Sequence, residues 1–171
     1  MIRHLTAVDY KAMPWANGKG TTVEMLRVER GGVLALRLSR AQVVEDGDFS
    51  IFPGVERNLT VLTGPGFDLV GAGLHLHARP LVPLAFSGDV ALRAEGVTGP
   101  SDDFNVMTAR DLGVPWVRVV ASGAFAAGGT LAVFALDAAR VGRVDLARYD
   151  LVVTDQAVAV EGAAIVVRVQ V

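Results

Sequence analysis

Arg37 is the first residue whose placement asks for a chemical explanation. It lies in Leu34-Ala35-Leu36-Arg37-Leu38-Ser39, where strand alternation puts Arg37 and Ser39 on one face of an otherwise apolar run. A charge inside a buried strand is costly unless it is paired or hydrogen-bonded. Arg57 stands in a similar place, directly before Asn58-Leu59-Thr60-Val61-Leu62. A guanidinium in the mouth of a β-barrel suits two-point capture of a carboxylate. An internal ion pair to Glu24, Glu56 or Asp103 fits the same pattern, and the residues alone leave the two readings even.

His75-Leu76-His77 sets two imidazoles on one strand face, which is how a metal pair begins. A site needs a third ligand. Ala78, Arg79 and Pro80 follow without a carboxylate, and the remaining histidine is His4. The expectation is therefore two polar residues on a solvent-facing strand, with no metal and no cofactor. Asn17-Gly18-Lys19-Gly20-Thr21-Thr22 looks like a phosphate loop but fails its rule, because Gly20 separates Lys19 from Thr21. Val23 stands where a dinucleotide pattern needs its third glycine. The serines form no nucleophile elbow. Asp46/Asp48 and Asp102/Asp103 read as solvated turn residues. The absence of cysteine removes thiol catalysis, redox pairs and cysteine-bound zinc.

The elements that must position these residues are short apolar runs cut by glycine and proline. Candidate strands are Thr22–Val28, Val33–Ser39, Leu59–Leu62, Phe67–Val70, Leu84–Phe86, Val90–Ala94, Trp116–Val120, Thr130–Leu136, Leu151–Thr154 and Ala164–Val171. Their spacing predicts an all-β sandwich or barrel with little helix. Phe104–Leu112 is expected to make one or two helical turns at most. The 171 residues suit one domain or two small halves sharing a core. The polar cluster Gly99-Pro100-Ser101-Asp102-Asp103 suggests halves of 1–103 and 104–171. Sixteen basic against 18 acidic residues give a net charge of −2, which argues against a nucleic-acid partner. The hydrophobic fraction of 51% holds no uninterrupted apolar run of about 18 residues, so it signals a core and not a membrane segment. The amino terminus lacks the apolar stretch of a secretory signal, and a cytoplasmic protein is expected.

Four segments taken together resemble the HutD/Ves family. They are Pro14-Trp15-Ala16-Asn17-Gly18-Lys19-Gly20-Thr21-Thr22-Val23-Glu24, Leu36–Ala41, Asp46–Arg57 with its Asp-Gly-x-Phe-Ser core, and Gly99–Met107 with Asp103-Phe104-Asn105. They span roughly residues 10–112. Leu36 stands where the family usually carries tryptophan, and the last third is similar in strand pattern alone. The resemblance implies a bicupin, two small β-barrels in one chain, whose cupin metal ligands have been lost. It also implies an association with histidine utilisation or stress response and the binding of a pathway acid such as N-formylglutamate or urocanate.

On this reading the pocket lies in the N-terminal half. Trp15 packs against the ligand, Asn17 and Ser39 offer hydrogen bonds, and Arg37 or Arg57 holds a carboxylate. Asp103 and Asn105 close one side or orient the arginines. Such a pocket is apolar with a few convergent polar groups. The rival expectation is a metal-independent isomerase or hydrolase acting on a small acid, with Glu24 or Asp103 as its acid or base. A third is an interaction module whose ligand is another protein. Self-association into a homodimer is left open.

Overall fold

Fourteen glycines in the left-handed region let the chain turn back on itself often enough to make a fold of hairpins and crossing strands. The computed structural model describes residues 1–170, so the last residue of the expected strand Ala164–Val171 lies outside the described residues. In chain order the strands begin β1 (Ile2–Leu5), β2 (Lys11–Pro14), β3 (Thr21–Arg30), β4 (Val33–Val43), β5 (Gly47–Asp48) and β6 (Val55–Thr63). Next come β7 (Phe67–Gly71), β8 (Leu74–Ala78), β9 (Leu84–Ser87), β10 (Arg93–Glu95) and β11 (Ser101–Ala109). A single 3-10 turn, Arg110–Leu112, precedes β12 (Trp116–Phe125) and β13 (Thr130–Ala135). The chain closes with β14 (Ala139–Val141), β15 (Val144–Leu146), β16 (Leu151–Thr154) and β17 (Val158–Val169). The all-β expectation holds.

The strands divide into two compact units, Lys11–Val114 and Met1–Tyr10 with Pro115–Val171. In the first, a six-stranded sheet runs β2-β3-β4-β11-β6-β9 and a four-stranded sheet runs β5-β10-β7-β8. Leu59, Val61, Phe67, Leu69, Phe86 and Leu92 fill the core of this unit. The second unit is one sheet in the order β1-β16-β13-β17-β14-β15, with β12 on β17. Its core is built from Leu131, Val133, Val152, Val160 and Val166. Every strand pairing within the sheets is antiparallel.

Two expectations are corrected. The boundary at 103/104 would cut β11, which pairs with β4 on one side and β6 on the other and so belongs whole to the first unit. Phe104–Leu112 is strand as far as Ala109, and only its last three residues coil. The cause is burial. Residues 101–108 are all buried, so Asp102 and Asp103, which read as turn residues, are ladder residues in a central strand.

The β7–β8 hairpin carries a local conflict between residue and conformation. Its two-residue loop, Ala72-Gly73, has φ of 49° and 78°, the left-handed pair of a type I′ turn. Alanine bears a steric penalty there of about 1–2 kcal/mol that asparagine largely avoids. Ala72→Asn should therefore raise the melting midpoint, by roughly 2–4 °C for each kcal/mol recovered in a chain of this size. Calorimetry showing an unchanged or lower midpoint would rule out that strain.

Candidate functional site

The register of β4, β11 and β6 stacks the polar residues in rows. Met107 sits opposite Arg37 on one side and Arg57 on the other, so the two arginines share a row across three strands. Ser39 faces Asn105 in the next row inward, and Ala41 faces Asp103 in the one after. A one-residue slip would turn all of them to the other face. They line a cavity of about 680 Å³. The β2–β3 loop adds Trp15 and Asn17 to its wall, so the structure brings all seven residues singled out from the sequence to one cavity.

The two arginines differ. Arg37 donates from Nε to Glu24 on the neighbouring strand at 2.6 Å, so its charge is spent on an internal ion pair. Arg57, 7% exposed, has no carboxylate within ion-pair distance among the described residues. Its Nη1 donates to the Ser50 carbonyl at 3.1 Å. Its guanidinium carbon lies 5.0–5.5 Å from the ring centres of Phe49, Phe52 and Phe86. Nε has no hydrogen-bond partner. Burial lowers its pKa to about 10, with the Asp103 charge opposing and Arg37 reinforcing the shift. It remains a cation at neutral pH.

Asp103 is the complementary oddity. It is 1% exposed, and its carboxylate accepts a hydrogen bond from the Asn105 amide. Burial raises its pKa to about 8; the Asn105 bond and the Arg57 charge oppose that rise and the Asp102 charge adds to it. At neutral pH it keeps its proton. Asp102, on the opposite face of β11, is paired to Arg40. The cavity therefore presents a cation, Arg57, beside a neutral acid.

The rim is set by the loop that resembled a phosphate cradle. Trp15 N–H donates to the Gly20 carbonyl at 2.8 Å and Gly18 N–H to the Trp15 carbonyl at 3.0 Å, closing a tight turn. The Asn17 side-chain oxygen accepts from Lys19 N–H at 2.9 Å, which leaves its NH₂ for other partners. The Trp15 indole N–H donates to Thr22 Oγ1 at 2.9 Å, so the ring's one polar group already has a partner. A Cβ on Gly20 would stand 2.9 Å from that ring, and glycine is what lets the indole lie flat against the turn. Lys19 and Glu45 join across the mouth in an exposed ion pair. Sequence reasoning missed Phe49, Ser50, Phe52 and Phe86, which seat Arg57. The Asp46–Arg57 signature was the visible trace of the first three, and Phe86 comes from a separate strand.

His75 and His77 are not in the cavity. They stand on β8 beside Asp68 of β7, and among the described residues these three form the group with metal-ligand chemistry. The carboxylate missing from the neighbouring sequence is supplied by strand pairing. Among the described residues no helix is long and apolar enough to cross a membrane.

The sheets and the cavity between their strands define a cupin-like all-β protein. An Escherichia coli protein, Ylba, superposes over 98% of this chain with a TM-score of 0.70 at 8% identity, a likeness of fold alone. The family model for HutD matches residues 7–170, and the chain belongs to that family. It is 41% identical over 113 residues to a 21.2 kDa protein in the hutC 3′ region of Pseudomonas putida, a match covering 63% of this chain and 58% of that protein. It is 37% identical over 116 residues to protein Ves of Cronobacter sakazakii, covering 65% of this chain and 64% of Ves. The aligned part is thus less than two thirds of either relative. The solved structure of HutD from Pseudomonas fluorescens SBW25 matches 99% of this chain and 98% of its own, with a TM-score of 0.91 at 31% identity.

The raised pKa of Asp103 has a signed consequence for stability. The folded state holds this proton more tightly than the unfolded chain, whose aspartates titrate near 3.9. Stability from Asp103 is full below about pH 4 and is lost as pH rises toward about 8. Asp103→Asn should remove that loss, so its midpoint should gain on the wild type between pH 5 and 8.5. Parallel melting curves across that range would place the Asp103 pKa near its ordinary value.

Proposed function

We propose that this chain is a cytoplasmic binding protein for a small carboxylic acid, N-formylglutamate ahead of urocanate, and that it modulates histidine utilisation through that ligand. The observation that carries the reading is Arg57, a buried cation without a carboxylate partner, facing the cavity beside a protonated Asp103. A carboxylate would receive two parallel N–H donors from the guanidinium. Asp103, in its neutral form, and Asn105 add donors, while Trp15 supplies a flat apolar wall. Membership of the HutD family supports the pathway, as does the P. putida relative's position in the hutC region. A second reading, a metal-independent isomerase or hydrolase, draws on one observation: an acid with a pKa of about 8 is poised for proton transfer. Glu24 is a poor candidate for that role, because Arg37 holds it.

A thermal-shift panel of formylglutamate, glutamate, urocanate, histidine and unrelated dicarboxylates tests the proposal. A ligand at a hundredfold excess over Kd stabilises by about 2.7 kcal/mol, or roughly 5–11 °C here. Arg57→Lys should weaken binding by about 1.5–3 kcal/mol, because a point charge cannot reproduce the planar fork. Affinity should also fall above pH 8, where ionised Asp103 repels the ligand. Product formation on incubation would favour the enzyme. If no acid moves the midpoint of a folded sample, the small-acid reading fails and a protein ligand takes its place.

A further inference from the structure

The outward face of the four-stranded sheet carries a second chemical grouping, and none of its residues lines the cavity. Phe67 and Leu69 of β7 point into the core, which turns Asp68 between them to the other face. The antiparallel register sets His77 directly opposite Asp68, and His75 diagonal to it opposite Val70. The tight Ala72-Gly73 turn fixes that register, because a two-residue I′ loop admits one pairing of its flanking strands. Backbone geometry, not flexible side-chain reach, brings the three together.

We propose that Asp68, His75 and His77 form a surface site for a divalent ion of the zinc, nickel and copper(II) class, with its remaining coordination positions open to water. Asp68 Oδ2 lies 2.8 Å from His75 Nε2, and Asp68 Oδ1 lies 2.9 Å from His77 Nδ1. The candidate ligand atoms all fall within 4.8 Å of one another. Ligands around a tetrahedral zinc, at bond lengths of about 2.0–2.2 Å, stand roughly 3.3 Å apart. Small outward rotations of exposed imidazoles reach that spacing without disturbing the sheet. Two imidazoles and a carboxylate suit this class of ion and are a poor set for magnesium or calcium, which prefer all-oxygen shells.

Arg79 is the internal competitor. Its Nη2 lies 3.1 Å from Asp68 Oδ1 and 3.2 Å from His77 Nδ1, occupying the space where an ion would bind. Two backbone carbonyls, of Phe67 and Ala78, accept from its Nη1 at 3.3 Å. The guanidinium therefore has partners to retain when an ion displaces it from the carboxylate. This arrangement predicts a reversible site of moderate affinity, not a permanent structural ion.

Calorimetric titration of untagged, chelator-treated protein with zinc chloride at pH 7.5 tests the site. The expected result is one equivalent bound with a Kd in the micromolar range. His75→Ala and His77→Ala should each weaken uptake by about tenfold or more. Arg79→Ala should tighten it. All three residues are exposed, so unchanged circular dichroism and melting midpoints should confirm that the variants fold. A wild-type protein that takes up no zinc overturns the proposal, as does uptake that survives in the double histidine variant. The cavity reading stands or falls separately, because none of these three ligands lines the cavity.

Discussion

Taking the Arg57 guanidinium out of water costs several kcal/mol even after relaxation, and the residues around it each offset part of that cost. Three phenylalanine rings turn their faces toward the charge, and the Ser50 carbonyl accepts one of its protons. What they do not supply is a formal negative charge. Glu24, opposite Ser39 on β3, is held by Arg37. Asp103, which could have served, is buried deeply enough to keep its proton. The cavity is left with a buried cation that no carboxylate of the described residues pairs.

That arrangement depends on β11 sitting in the middle of its sheet. Because β4 and β6 flank it on both sides, the backbone polar groups of β11 are satisfied, and the strand can carry acids and amides where most central strands carry valine and isoleucine. The same burial that raises Asp103 keeps the hydrogen bond between Asn105 and Asp103 away from water, where a polar contact is stronger.

The sequence was legible where side-chain chemistry and period agree. Val33–Ser39 is a short apolar run, and it is strand; Arg37 and Ser39 share a face, and that face is the cavity. Reading failed where polar residues are buried. Ser101-Asp102-Asp103 has the composition of a turn, and only pairing on both sides makes it a strand, which no local window reports. β5, two residues long, has no period to detect. The partition of the arginines was equally hidden. Glu24 and Arg37 are neighbours through the β3–β4 ladder, while Phe49 and Phe52 reach Arg57 from the β5–β6 connection and Phe86 from β9. Asp68 met the histidines in the same way, across a hairpin whose register the sequence did not announce.

The pairing of β1 with β16 sets an order on synthesis. Ile2–Leu5 is made long before its partner Leu151–Thr154. At 5–20 residues per second the first strand waits roughly 8–30 s for its neighbour. The strands of Lys11–Val114, by contrast, find every partner within their own segment and can close while the chain is still growing. The cavity-bearing unit thus has all of its strands before the second unit does. Until β16 is made, Ile2–Leu5 lacks its strand partner, and its short length and its Arg3 and His4 are suited to keeping such an edge from pairing with the wrong strand.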